Sequence, residues 1–137
     1  MHANEKAFVD TNVFIYLYSG TEIEKQKTAQ GIIENFNCVI STQVLNEFSN
    51  VCIKKFNTNS DEVLASIKEI IEASTVLYIE TEDILQAILL QKKYGYGYWD
   101  CLMLVSALKS ECKYILTEDM RNGQLIEGKL VIKNIFP

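Results

Sequence analysis

Proline is nearly missing from this 137-residue chain, whose only one is Pro137. The six glycines are scattered, and no repeat or low-complexity run interrupts the pattern. That excludes a flexible linker and predicts a single domain over 1–137. Histidine is confined to His2 near the N-terminus, and Cys38, Cys52, Cys101 and Cys112 form no C-x-x-C pair. A zinc cage is thereby excluded and no disulfide framework is indicated, so the cysteines read as small core residues. Arginine occurs once, as Arg121, and thirteen cations face eighteen acids for a net charge of −5. A protein that coats DNA by neutralising phosphates does not have this balance. Long apolar runs are lacking too. The longest, Cys101 to Leu108, is broken by Ser106 and is far below the roughly 20 residues of a membrane span. The opening MHANEKAFVD has no signal-peptide core. The expectation is a soluble cytoplasmic protein with no membrane association.

What is present is a 48% hydrophobic, 23% charged composition, enough for an ordinary core. Short apolar runs alternate with helical stretches. Ala7–Val9, Cys38–Ile40, Val76–Ile79, Tyr114–Leu116 and Leu130–Ile132 suit buried strands. Between them, helices are predicted over about 11–18, from the capping signature Thr21-x-x-Glu24 to Phe36, from Ser41 or Thr42 to Phe56, from Ser60, from Thr81, and from Trp99 to Glu111. The last is apolar almost all round, which predicts a central position. Buried strands alternating with helices predict an α/β fold with a mainly parallel sheet of about five strands, covered on both faces. In such sheets chemistry collects beyond the carboxyl ends of the strands.

The chain has only five aspartates. Asp61 and Asp83 fall in first turns of helices, where the macrodipole accounts for them. Asp10 follows the first strand, Asp119 follows the fourth after Leu116-Thr117, and Asp100 opens the apolar helix that feeds that strand. Glu47 lies between Val44 and Phe48 on a face that reads as inward, where a carboxylate is costly unless paired or bound to a cation. Each aspartate alone is explained equally well as a helix cap. Together at one sheet edge, four carboxylates repel by several kcal/mol at an effective dielectric near 20, and a hard divalent cation such as Mg²⁺ or Mn²⁺ removes that repulsion. An all-carboxylate set points to phosphodiester hydrolysis by metal-activated water.

These residues carry a resemblance. Phe8-Val9-Asp10-Thr11-Asn12, Ser41 to Phe48 with Glu47, Tyr98-Trp99-Asp100-Cys101-Leu102-Met103 and Leu116-Thr117-Glu118-Asp119-Met120 resemble, in order, the four acidic motifs of PIN-domain ribonucleases. The chain is most similar to the VapC-type toxins of toxin–antitoxin pairs, over about residues 7–136. The resemblance implies a three-layer α/β/α fold and Mg²⁺- or Mn²⁺-dependent endoribonuclease activity. It also implies an RNA substrate, a neutralising antitoxin and a homodimer. Position by position, Asp10, Glu47, Asp100 and Asp119 would be the catalytic, metal-binding acids, with Asn12 and Thr117 as supporting polar residues. Glu118 adds a carboxylate beside Asp119, expected to point to solvent rather than hold an outer ion.

Candidate substrate contacts are Lys54, Lys55 and Arg121, which would hold phosphates or form a solvated basic face. The aromatic run Tyr94 to Trp99 would stack an unpaired base or pack on the core. Phe14, Ile15 and Leu17 are either core or a partner surface. Two enzyme classes on similar sheets are disfavoured. Haloacid-dehalogenase-like phosphatases need a second Asp where Asn12 stands, and receiver domains need an Asp where Glu80 stands. A non-enzymatic alternative is a catalytically weak PIN-like module that binds RNA or a partner.

Overall fold

The computed structural model describes residues 5–136. Strands are β1 Lys6–Val9, β2 Asn37–Ser41, β3 Thr75–Leu77, β4 Tyr114–Leu116, β5 Leu125–Ile126 and β6 Leu130–Lys133. Helices are α1 Thr11–Tyr18, α2 Ile23–Asn35, α3 Thr42–Lys54, α4 Ser60–Glu72, α5 Thr81–Tyr94 and α6 Tyr98–Lys109. The strands form one sheet in the order β3-β2-β1-β4-β6-β5, parallel except for the β5–β6 pair. The expected three-layer α/β/α architecture is present, with six strands among the described residues rather than five. The added strand is two residues long, too short for any periodicity to register.

The chain winds from β1 toward β3 on one side and from β4 toward β6 on the other, so the sheet reverses direction between β1 and β4. Register pairs Phe8 with Ile115 and Val9 with Leu116. Asp10 and Thr117 therefore leave the sheet side by side, and the Asp10 amide continues the ladder by donating to the Leu116 carbonyl at 3.1 Å. A crevice at such a reversal is where open α/β sheets place ligands.

Core packing follows the apolar pattern. Ala7, Phe8, Val9, Val39, Ile40, Ile115, Leu116 and Ile132 are buried strand residues, as expected where both faces are covered. Helix α6, buried from Cys101 to Ala107, packs on β1, β2 and β4. It begins where α5 ends at Gly95, whose φ of +80° is the left-handed conformation that glycine adopts without strain. All four cysteines are free and buried, as read. His2 lies outside the described residues.

Several caps differ from expectation. Helix α2 begins at Ile23 after Glu22, with no side-chain cap, and Ser19 and Thr21 hydroxyls bond each other instead. Asn59, not Ser60, caps α4, and Glu80, not Thr81, caps α5. Ser41 precedes α3 without making a side-chain capping bond. Asp83 is more than a dipole partner: it accepts from the Glu80 amide at 2.8 Å and from Lys109 Nζ at 3.1 Å while 5% exposed.

Candidate active site

Asp10 caps α1 at the carboxyl end of β1. One oxygen accepts from the Thr11 amide at 2.6 Å, and the other accepts from the Thr117 hydroxyl at 2.6 Å. The Thr117 hydroxyl in turn accepts from the Asp119 amide at 3.1 Å, bending the chain after β4 so that Asp119 faces back toward α1. There Asn12 donates to Asp119 Oδ2 at 3.2 Å. On α3, Glu47 accepts from the Thr11 hydroxyl at 2.7 Å and from Gln43 Nε2 at 3.1 Å. Gln43 also donates to the Trp99 carbonyl at 3.0 Å, tying α3 to the start of α6, one residue before Asp100.

These elements enclose a cavity of about 320 Å³ lined by Asp10, Glu47, Asp100 and Asp119 together with Asn12 and Asn50. No lysine or arginine lines it. Electrostatics register the crowding. Burial, opposed by the Thr117 bond and reinforced by Asp119 and Asp100, raises the Asp10 pKa to about 7. The Asp100 pKa is raised by burial and then by Asp119 and Glu47. The Asp119 pKa is raised by burial and then by Glu118 and Glu47. The carboxylates thus share one electrostatic environment with no internal cation.

The structure brings Asp10, Glu47, Asp100, Asp119 and Asn12 to one cavity, with Thr117 behind Asp10. It does not bring Lys54, Lys55 or Arg121 there; all three are exposed and line no part of it. Glu118 does not point to solvent. It accepts from the Tyr16 hydroxyl and from Asn12 at 3.5 Å, and pairs with Lys25 at 3.8 Å. Thr11, Gln43 and Asn50 are the polar residues that sequence reasoning missed. Gln43 had one visible signal, its place four residues before Glu47 on a helix. Phe14 is core, and Ile15 and Leu17 pack on it half-buried. Tyr94, Tyr96 and Tyr98 also pack against the core, whereas Trp99 is 62% exposed.

Residues 7–124 match the family model of the PIN domain. The chain belongs to the PIN-domain family. No curated protein matches it. Among solved structures, the PIN domain here resembles a toxin–antitoxin complex from Klebsiella pneumoniae, with 21% identity, TM-score 0.66, and coverage of 91% of this chain and 95% of that one. It resembles DNA-bound VapBC from Salmonella typhimurium at 18% identity and TM-score 0.68, covering 95% and 98%. It also resembles VapC20 of Mycobacterium tuberculosis, a sarcin–ricin loop cleaving toxin, at 16% identity and TM-score 0.66, covering 80% and 86%.

PIN-domain nucleases use divalent metals, and the donor set here suits one in chemistry: oxygen ligands only, negative, with no cation of the chain among them. Among the described residues, no three His, Cys, Asp or Glu side chains are arranged so that they could hold one ion between them. Mg²⁺ does not demand such a cage, because it keeps several waters and binds through one or two carboxylates. The residues fit the ion on those terms.

Proposed function

We propose that this PIN domain is a Mg²⁺- or Mn²⁺-dependent endoribonuclease and the toxin of a VapC-type toxin–antitoxin pair. The observation that carries the reading is the gathering of Asp10, Glu47, Asp100 and Asp119 around one cavity at the reversal point of a PIN-family sheet, without a cation of the chain. One or two of Asp10, Asp100 and Asp119 would hold the ion directly, and the remaining acids and Glu47 would reach it through its waters. When bound, it lowers the pKa of a water and stabilises the attacking and leaving oxygens of a phosphodiester. The chain's own contribution is orientation. Thr117 and the Thr11 amide each fix one oxygen of Asp10, Asn12 fixes Asp119, and Thr11 with Gln43 fixes both oxygens of Glu47. Held this way, Glu47 is placed to accept a proton from an attacking water.

The deciding experiment incubates purified protein with tRNA, rRNA and mRNA in Mg²⁺, Mn²⁺ or EDTA, comparing wild type with Asp10→Asn. Metal-dependent cuts leaving 5′-phosphate and 3′-hydroxyl ends, absent from the variant, are expected. Cutting that survives EDTA would sink the proposal. A second reading, a PIN-like module that binds RNA or a partner without cutting, draws on the lack of a three-ligand cage among the described residues. It predicts RNA retention with no cleavage in any metal.

The antitoxin partner rests on the toxin–antitoxin complexes among the structural neighbours. A homodimer is supported by α5, where Leu85, Ile88 and Leu89 are all more than half exposed. Antiparallel pairing of two α5 helices would set Glu82 of each first turn near Lys92 and Lys93 of the other's last. Sedimentation should give a dimer that Leu89→Glu converts to monomer. No helix among the described residues is long and apolar enough to cross a membrane. The cytoplasm, where RNA is met, is the proposed location, tested by fractionation.

A further inference from the structure

Beside the acid cavity lies a second one of about 540 Å³, within the roughly 300–1,000 Å³ range of small-molecule sites. The two share Glu47, Asn50 and Trp99. Their linings contain no lysine or arginine, so phosphate attraction does not hold a polyanion on either. Near four carboxylates, in a protein of net charge −5, the grip on substrate beyond the ion falls to uncharged groups. The second cavity supplies two kinds. Trp99 presents an indole that is 62% exposed, unusual for so large a ring, with Tyr98 edge-on at 5.1 Å. Asn46 and Asn50, one turn apart on α3 and exposed, bring amide donors and acceptors of the sort that read base edges. Gln43 fastens the two sites together by bonding both Glu47 and the Trp99 carbonyl.

We propose that this cavity is the subsite for an unpaired RNA nucleobase next to the scissile phosphate, with Trp99 as its stacking platform and the Asn46 and Asn50 amides facing the base edge. The proposal rests on the nuclease reading. It explains how an acidic nuclease selects RNA: by a neutral base in a pocket whose lining, Glu47 apart, is uncharged. It also assigns specificity to single-stranded substrate, because a paired base cannot enter.

Trp99 is the sole tryptophan, so tryptophan emission, excited to the red of the seven tyrosines, reports on this site alone. Full-length Asp10→Asn protein in Mg²⁺ is titrated with short single-stranded oligoribonucleotides of A, C, G or U, and with a duplex of equal length. Single strands should quench the emission saturably and the duplex should not. With fluorescein-labelled strands, Trp99→Ala should bind about 5- to 150-fold more weakly, and Trp99→Phe should recover most of the loss. The exposed side chain and the retained backbone bond to Gln43 leave the fold intact, which circular dichroism checks. In the cleaving background, Trp99→Ala should raise KM far more than it lowers kcat. Unchanged binding by Trp99→Ala, or equal quenching by duplex, overturns the proposal. So does an emission change that follows protein concentration alone, which would assign Trp99 to a contact between copies. Failure here is separable from failure of the nuclease reading. Normal cleavage with an unmoved KM removes the subsite only, whereas quenching by single strands without cleavage in any metal removes the nuclease only.

Discussion

Asp10 and Asp83 are buried to nearly the same degree, 4% and 5% exposed, and each accepts a backbone amide at the start of a helix. Their surroundings are opposite. Asp83 has the Lys109 ammonium at 3.1 Å, so its charge is neutralised within the fold. Asp10 has only hydrogen-bond donors, and the charged groups acting on it are Asp119 and Asp100, of its own sign. A buried carboxylate with an internal cation is a structural device. One whose neighbours are other carboxylates is neutralised only from outside, by a proton or a cation. Burial and capping, the features a sequence suggests, do not separate the two cases; the identity of the nearest charge does.

The contrast breaks most visibly in activity. Asp10→Asn keeps an acceptor for the Thr11 amide and a polar partner for Thr117, so the fold should hold while cleavage falls about 10³-fold. That corresponds to the several kcal/mol a metal site contributes to a transition state. Under the same assay, Asp83→Asn should stay within about twofold of wild type. Equal losses in the two would erase the distinction.

Stability against pH sharpens it. Asp10 ionises near 3.8 when unfolded and near 7 when folded. Between those values the native state keeps a proton that the unfolded state has shed, so metal-free protein should lose stability as pH rises from about 4 to about 7, by a few kcal/mol. Urea unfolding across that range should show the decline, and Asp10→Asn or saturating Mg²⁺ should flatten it.

The reverse substitution is smaller and purely structural. Asp83→Ala removes the bond to the Glu80 amide and a partner of Lys109, costing about 1–3 kcal/mol. Thermal melts should register the loss while activity per folded molecule stays level. Smallest of all are Lys54→Ala, Lys55→Ala and Arg121→Ala, whose side chains are exposed and line neither cavity. Each should change cleavage by less than about twofold at physiological salt, measured as kcat/KM.

Strand-end aspartates were legible in the sequence because a parallel strand is a short apolar run with an abrupt polar end, and Val9-Asp10 is such an end. Glu47 was legible from the helical spacing of Val44 and Phe48, both fully buried. Other features were hidden for physical reasons. Strand β5 forms because Leu125 and Ile126 meet β6, a tertiary fact that two residues cannot announce. Caps at Glu22, Asn59 and Glu80 depend on loop geometry that decides which of several adjacent polar residues takes the position. The Lys109 partner of Asp83 lies 26 residues away, across the α5–α6 pair. Glu118 was misread because its environment comes from Tyr16 and Lys25, some hundred residues earlier. Trp99 separates from its tyrosine neighbours in exposure, 62% against their packing on the core, a difference that depends on tertiary contacts.

The bond between Asp10 and Thr117 spans 107 positions of the chain. During synthesis the ribosome must therefore release the chain through residue 117 before β4 can pair with β1 and orient Asp10. Contacts this distant in sequence form late, after a long loop has been closed. An emerging chain, or one clipped before Leu116, has its first acid but not the partner that aims it. For the endoribonuclease we propose, this ordering is a safeguard: the site is assembled only after Thr117 has left the ribosome.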